Sequence, residues 1–162
     1  MMILLAGVRA SEGNRLGFIG AVKSFFSRYF DFTGRSPRSA YWWVILFQWL
    51  VVLPFIIALF VIEGDPEAVA AALEADVNLS PTGTIVFRGM LLFILAFIIP
   101  TLSLMVRRLH DQDKPGWWVL IWLVPYLGTL VIFIFMLIPG TKGLNRFGDD
   151  PLDLGSDIGL FD

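Results

Sequence analysis

The chain has 162 residues, room for one domain, and 57% of them are hydrophobic while 16% are charged. Soluble domains run nearer ~45–50% and ~25%, and a chain this small exposes too much surface to hide long charge-free stretches in a core. A net charge of −2 gives no basic character for nucleic acid, and the lack of cysteine excludes disulfides, thiolate metal sites and cysteine nucleophiles.

The opening Met1-Met2-Ile3-Leu4-Leu5-Ala6 is too short for the apolar core of a signal peptide and has no basic stretch before it. The first spanning helix is therefore expected to act as its own uncleaved signal. Residues 17–30 read as an amphipathic helix. Phe18, Ile19, Val22, Phe25, Phe26, Tyr29 and Phe30 share one face, and Lys23, Ser24, Ser27 and Arg28 the other. An aromatic face opposite a basic one suits a helix in the headgroup region; packing of that face on the spanning helices is compatible with it. Gly34 and Pro37 interrupt the pattern. Ser36 before Pro37 is a helix start, with Arg35 and Arg38 ahead of an aromatic belt at Tyr41-Trp42-Trp43.

Residues 39–62 carry no charge and exceed the ~20 needed to cross about 30 Å of hydrocarbon; Pro54 predicts a kink. The connection 63–83 holds Glu63, Asp65, Glu67, Glu74 and Asp76 with no Lys or Arg. Asp65 before Pro66-Glu67 caps an expected short helix from Ala68 to Val77. The second span runs over 84–106, with Arg88 able to snorkel to the headgroups and Pro100 predicting a bend. A charged hinge from Arg107 to Lys114 follows. The third apolar run, 117–138, contains Pro125-Tyr126-Leu127-Gly128 at its centre and is expected as a single kinked span. A re-entrant hairpin is the other reading, and it needs protein to shield its irregular backbone. The tail, 139–162, is polar and glycine-rich.

Lys23, Arg28, Arg35 and Arg38 precede the first span, and Arg107, Arg108 and Lys114 fill the second loop. Positive flanks stay cytoplasmic. The amino terminus and the hinge are therefore expected inside and the acidic 63–83 loop outside. Three full spans would put the tail outside, against the pull of Lys142 and Arg146.

Chemistry-bearing groups are sparse. Arg107 and Arg108 complement the negative end of the second helix and an anionic leaflet. His110 and Asp111 resemble an acid/base couple, yet adjacent helical positions point about 100° apart. One histidine without cysteine makes a poor transition-metal site. A structural role has Asp111 or Asp113 pairing with Arg35 or Arg38, locking the first loop onto the hinge. No acidic side chain lies inside a span, where a proton-coupled carrier keeps one. Gln48, Ser103, Tyr126 and Thr129 are the polar span residues, and such hydroxyls usually bond their own helix.

Three motifs then fall in order. The stretch from Phe30 to Trp43, with Gly34-Arg35 and Arg38, resembles an "F-x-G-R-x-x-R-x-x-[FY]-W" entrance. Arg107-Arg108-Leu109-His110-Asp111 with Gly116-Trp117-Trp118 matches "R-R-L-H-D … G-W-W". Gly143-Leu144-Asn145-Arg146-Phe147-Gly148-Asp149-Asp150-Pro151 looks like "G-x-N-[RK]-[FY]-G-x-D-P". Over residues 25–151 the chain resembles the YhaH/YhaI-like bacterial inner-membrane proteins, a family defined by a domain of unknown function. The acidic insert at 63–83 and Pro115 depart from its pattern.

The resemblance implies a small polytopic protein of the cytoplasmic membrane with no established activity. It groups Arg35, Arg38, Arg107, Arg108, His110, Asp111, Asn145, Arg146 and Asp150 as a candidate interfacial cluster. If the three motifs meet in space, the tail shares the hinge's side, which favours the re-entrant reading. The expectation is a single all-α membrane domain over 1–162, with three transmembrane helices preceded by an amphipathic interfacial helix. It is expected to need no cofactor or metal and to be no enzyme. Its cytoplasmic arginine-rich rim would engage anionic lipid, another membrane protein or a second copy. The alternatives are an oligomeric transporter or channel component and an enzyme using His110 and Asp111.

Overall fold

The computed structural model describes residues 17–73 and 79–152. Its elements are α1 (Phe18–Ser27), α2 (Arg38–Glu63), α3 (Pro66–Leu73), α4 (Pro81–Asp111), a 3-10 segment (Gly116–Leu123) and α5 (Leu127–Leu137). Among the described residues there is no strand, only an antiparallel bridge between Asn145 and Gly148. The expected helix residues 74–77, with Glu74 and Asp76, lie outside the described residues, as do the opening hexapeptide and the tail beyond 152.

The charge-free stretch 39–62 lies within α2, of 26 residues, and the second span, with Arg88 near its start, within α4, of 31. At 1.5 Å per residue these are about 39 and about 46 Å long, more than a hydrocarbon core requires. Pro54 and Pro100 both lie inside their helices, which continue through them. Only 6% of the most apolar window of α2, and 28% of that of α4, is buried inside the molecule. The core helix of a soluble protein would be mostly buried, so α2 and α4 are candidate membrane spans.

The chain divides into two compact units, residues 45–98 and residues 1–44 with 99–162. In the first of these, Leu59, Val69 and Met90 form a core with Val52, Phe55, Ile56, Leu79, Val86 and Phe87 packed on it. Asp65 accepts the Glu67 amide at 2.9 Å, as a cap should. The Glu63 carboxylate accepts the Ser80 hydroxyl at 2.7 Å and its amide at 3.2 Å, joining the two ends of the connection.

In the other unit, Met105, Leu109, Ile132 and Met136 make the core, with Tyr41, Trp42, Trp118 and Phe135 against it. Helix α1 packs part of its apolar face inward, the second of the two roles read from its sequence. Ala21 and Phe25 are buried, whereas Ile19 and Phe26 stay exposed beside exposed Lys23.

The third apolar run departs from the expected single helix over 117–138. It is a 3-10 turn and a short α-helix folded on each other. Pro125 cannot donate to a helical carbonyl and drives Val124 into extended backbone (φ −85°, ψ 113°). Tyr126 then takes φ +60°, which reverses the chain before α5. Gly128 closes the fold. A Cβ there would land on the Ile121 carbonyl.

Candidate functional site

The second unit holds a buried polar cluster built from all three motifs. Its centre is Asp111, the last residue of α4, which is 2% exposed. Its Oδ1 accepts Arg35 Nε at 3.0 Å, and its Oδ2 accepts Arg108 Nη1. Arg35 comes from the link before α2, where Gly34 supplies a positive φ of 73°. Two guanidinium forks thus clamp one carboxylate from opposite sides, an arrangement that fixes geometry as well as charge.

The tail supplies the remaining acceptors. Arg35 Nη1 donates to the Gly143 carbonyl at 2.6 Å and the Gly148 carbonyl at 3.2 Å, and Nη2 donates to the Thr141 carbonyl. Asp150 stands 3.9 Å from Arg35 while accepting the Gly143 amide at 3.0 Å. In return the Asp111 carbonyl accepts the Thr141 amide at 2.8 Å. Arg108 Nη2 donates to the Ile138 carbonyl after α5. At Gly140 a Cβ would overlap the Asp111 carboxylate, so glycine is the residue that lets the tail approach.

Asn145 ties the tail to the hinge. Its Nδ2 donates to the His110 carbonyl at 3.0 Å and to Thr141 Oγ1 at 2.9 Å. The His110 ring stacks on Phe147 at 3.8 Å and 3°, with Nδ1 3.2 Å from the Gly34 carbonyl. His110 and Asp111 belong to one cluster but to different contacts within it. Arg146 is exposed, covers the face of Phe147 and pairs with Asp113 at 3.0 Å.

Arg107 and Arg108, expected on a surface rim, stand inside at 1% and 0% exposure. Arg107 points away from Asp111: its Nε reaches the Ser103 carbonyl at 3.4 Å and its Nη2 has no hydrogen-bond partner among the described residues. Its carbonyl accepts the Ser36 amide at 3.0 Å. Arg38 is exposed and donates to the Leu137 carbonyl at 3.4 Å, with no ion pair among the described residues. Of the nine candidates, Arg35, Arg108, His110, Asp111, Asn145 and Asp150 form the cluster, and Arg38, Arg107 and Arg146 flank it.

Sequence reasoning missed the carbonyls of Thr141, Gly143 and Gly148, and also the role of Asp31. Ser103, expected to bond its own helix, instead donates to the Asp31 carbonyl at 2.5 Å and lies 3.2 Å from that of Arg28. Burial raises the Asp31 pKa, but hydrogen bonds from Thr33 and the Arg28 charge outweigh it and bring it down to about 2. The Asp-x-Thr spacing was the available signal. Gln112 donates to the Phe135 carbonyl and accepts Lys114 at 3.3 Å.

Among the described residues no group of His, Cys, Asp or Glu is arranged to hold a metal ion. Two helices long and apolar enough to span a membrane, with an internal arginine–aspartate clasp at the end of one, mark a helical membrane protein. A family model described as "Protein of unknown function (DUF805)" matches residues 29–149. The chain belongs to that family. It is 33% identical over 128 residues to "Inner membrane protein YhaI" of Escherichia coli (strain K12), covering 79% of this chain and 92% of the relative. It is 33% identical over 124 residues to "Inner membrane protein YhaH" of the same organism, covering 76% and 88%. No solved structure matches.

Proposed function

We propose that the chain is a multi-pass accessory protein of the bacterial inner membrane, without enzymatic activity. Its amino terminus, hinge and tail are cytoplasmic, and its exposed cations engage anionic lipid. The relatives are named as inner membrane proteins, and the basic flanks lie on the side that stays cytoplasmic. Two helices, α2 and α4, cross; the 3-10 segment and α5 enter and return on the cytoplasmic side.

One observation carries the topology: Arg35, Asp111 and the Thr141–Gly148 carbonyls meet in one clasp, so the tail belongs on the hinge's side. The arms of the folded third run fit it. Eight 3-10 residues at ~2.0 Å and eleven α residues at ~1.5 Å are each about half a hydrocarbon core in length. A non-enzymatic role is supported by His110, whose ring is committed to Phe147 and Gly34, and by Asp111, whose oxygens are both taken.

The native chain has no cysteine, so single cysteines report sidedness cleanly. In intact spheroplasts, Glu67→Cys should react with a membrane-impermeant maleimide. Lys23→Cys and Leu144→Cys should react only after permeabilisation. Labelling of Leu144→Cys from outside would overturn the topology. Purified wild-type protein should retain phosphatidylglycerol over phosphatidylcholine in native mass spectrometry; equal retention would overturn the lipid reading.

A further inference from the structure

We infer that an open pocket beside the clasp, between the start of α2 and the chain after α5, is a binding site for the phosphodiester of an anionic lipid headgroup. The inference rests on the cytoplasmic, lipid-facing placement proposed above. The pocket holds about 500 Å³ and is lined by Arg38, Lys142, Asp111, Asp150, Pro139 and Leu152, among others. Its size falls in the ~300–1,000 Å³ range of small-molecule sites.

The charges of its wall are unequally committed. Asp111 gives both oxygens to Arg35 and Arg108, and Asp150 accepts the Gly143 and Leu152 amides at 3.0 and 2.9 Å. Arg38 and Lys142 are both exposed, and among the described residues neither forms an ion pair. Arg35 and Arg108 stand behind the two carboxylates and balance them, so Arg38 and Lys142 are the pocket's excess positive charge. An anion entering the pocket therefore meets two cations without an ion-pair partner among the described residues, and acids already held by arginines and backbone amides.

The chemistry of those cations selects phosphate. Arg38 offers a planar fork that matches two oxygens of one phosphate, and Lys142 adds a compact point charge from the opposite segment. The depth selects a lipid as its source. Arg38 is the first residue of α2, followed by an uncharged run through Ile62, so its guanidinium stands at the headgroup boundary. Leu152 and Pro139 give the wall an apolar part on which glycerol carbons can lie.

The test uses the full chain in detergent with mixed phosphatidylglycerol and phosphatidylcholine, read by native mass spectrometry. The double variant Arg38→Gln/Lys142→Gln should lower phosphatidylglycerol retention at least tenfold and leave phosphatidylcholine unchanged. Lys23→Gln/Arg88→Gln removes the same charge from two other exposed cations, which attract lipid only diffusely, and should lower retention far less. Lys142→Glu alone, at an exposed position, should lose retention without disturbing the fold by circular dichroism. Equal losses in the double variant and the control pair would overturn the site in favour of diffuse attraction. Displacement of the lipid by millimolar inorganic phosphate would overturn the lipid as the natural source. A wild-type preference untouched by either site variant sinks this pocket alone, whereas no wild-type preference sinks the broader reading.

Discussion

Asp111 faces Arg35 through one oxygen and Arg108 through the other, with all three side chains nearly sealed from solvent. Removing one member of such a group leaves the others charged and unpaired, at a cost of about 3–5 kcal/mol. Asp111→Asn keeps the shape and deletes the charge, so it isolates the electrostatic part. It should lower the thermal unfolding temperature in detergent markedly, while Asp113→Asn, at an exposed pair, should change it little. If the two variants melt alike, the clasp is not what holds the unit. A pairing of Arg35 or Arg38 with Asp111 or Asp113 was legible in the sequence because charges flanking charge-free runs have few partners to choose from, but which of them would pair was not. The rest of the shell was not. Carbonyls carry no side-chain signature, and nothing in Arg107-Arg108 says that both lie inside rather than on a rim. That outcome depends on the link after α1 and the chain after α5 reaching the end of α4, a tertiary fact.

At the scale of elements, hydropathy alone located α2 and α4 to within a few residues, because a charge-free run bounded by charges has only one way to sit in a bilayer. The same signal failed over 117–138. Where nearly every residue is apolar there is no periodicity to read, and the choice between one helix and two arms falls to Pro125 and Tyr126. Pro125 was visible as a kink, but the positive φ of Tyr126 and the closeness of Gly128 to Ile121 were not. The reversal makes Gly128 the sensitive position. Gly128→Ala places a methyl group on a backbone carbonyl that has little freedom to yield, and overpacking of this kind costs typically ~1–3 kcal/mol. Gly17→Ala, with open space around its Cβ, is the matched control. Thermal unfolding should separate the two variants clearly. Were 117–138 one continuous helix, Gly128→Ala would instead raise stability through helix propensity.

At the scale of the whole chain, the tail's contacts decide whether the unit of residues 1–44 and 99–162 holds together or carries the tail as an appendage. In lipid, helices gain little from hydrophobicity alone, so packing and polar contacts between segments must hold them together. In the unit of residues 1–44 and 99–162 the polar contacts converge on residues 139–150, which follow all the apolar elements. Ending the chain after Ile138 keeps every apolar element. It removes the Thr141, Gly143 and Gly148 carbonyls from Arg35, the Thr141 donors from Asp111 and the Asn145 bridge to His110. Arg35 would retain only Asp111, and the His110 ring would lose Phe147. Buried donors left without acceptors cost ~1–3 kcal/mol each, more when charged. The truncated chain should therefore insert yet accumulate far less than the full chain, and what is recovered should be digested rapidly at the 29–37 link by limited proteolysis. A truncated protein as abundant and as resistant as the full chain would mean that the tail lies against the domain without supporting it. The buried arginines would then need a partner from outside the chain.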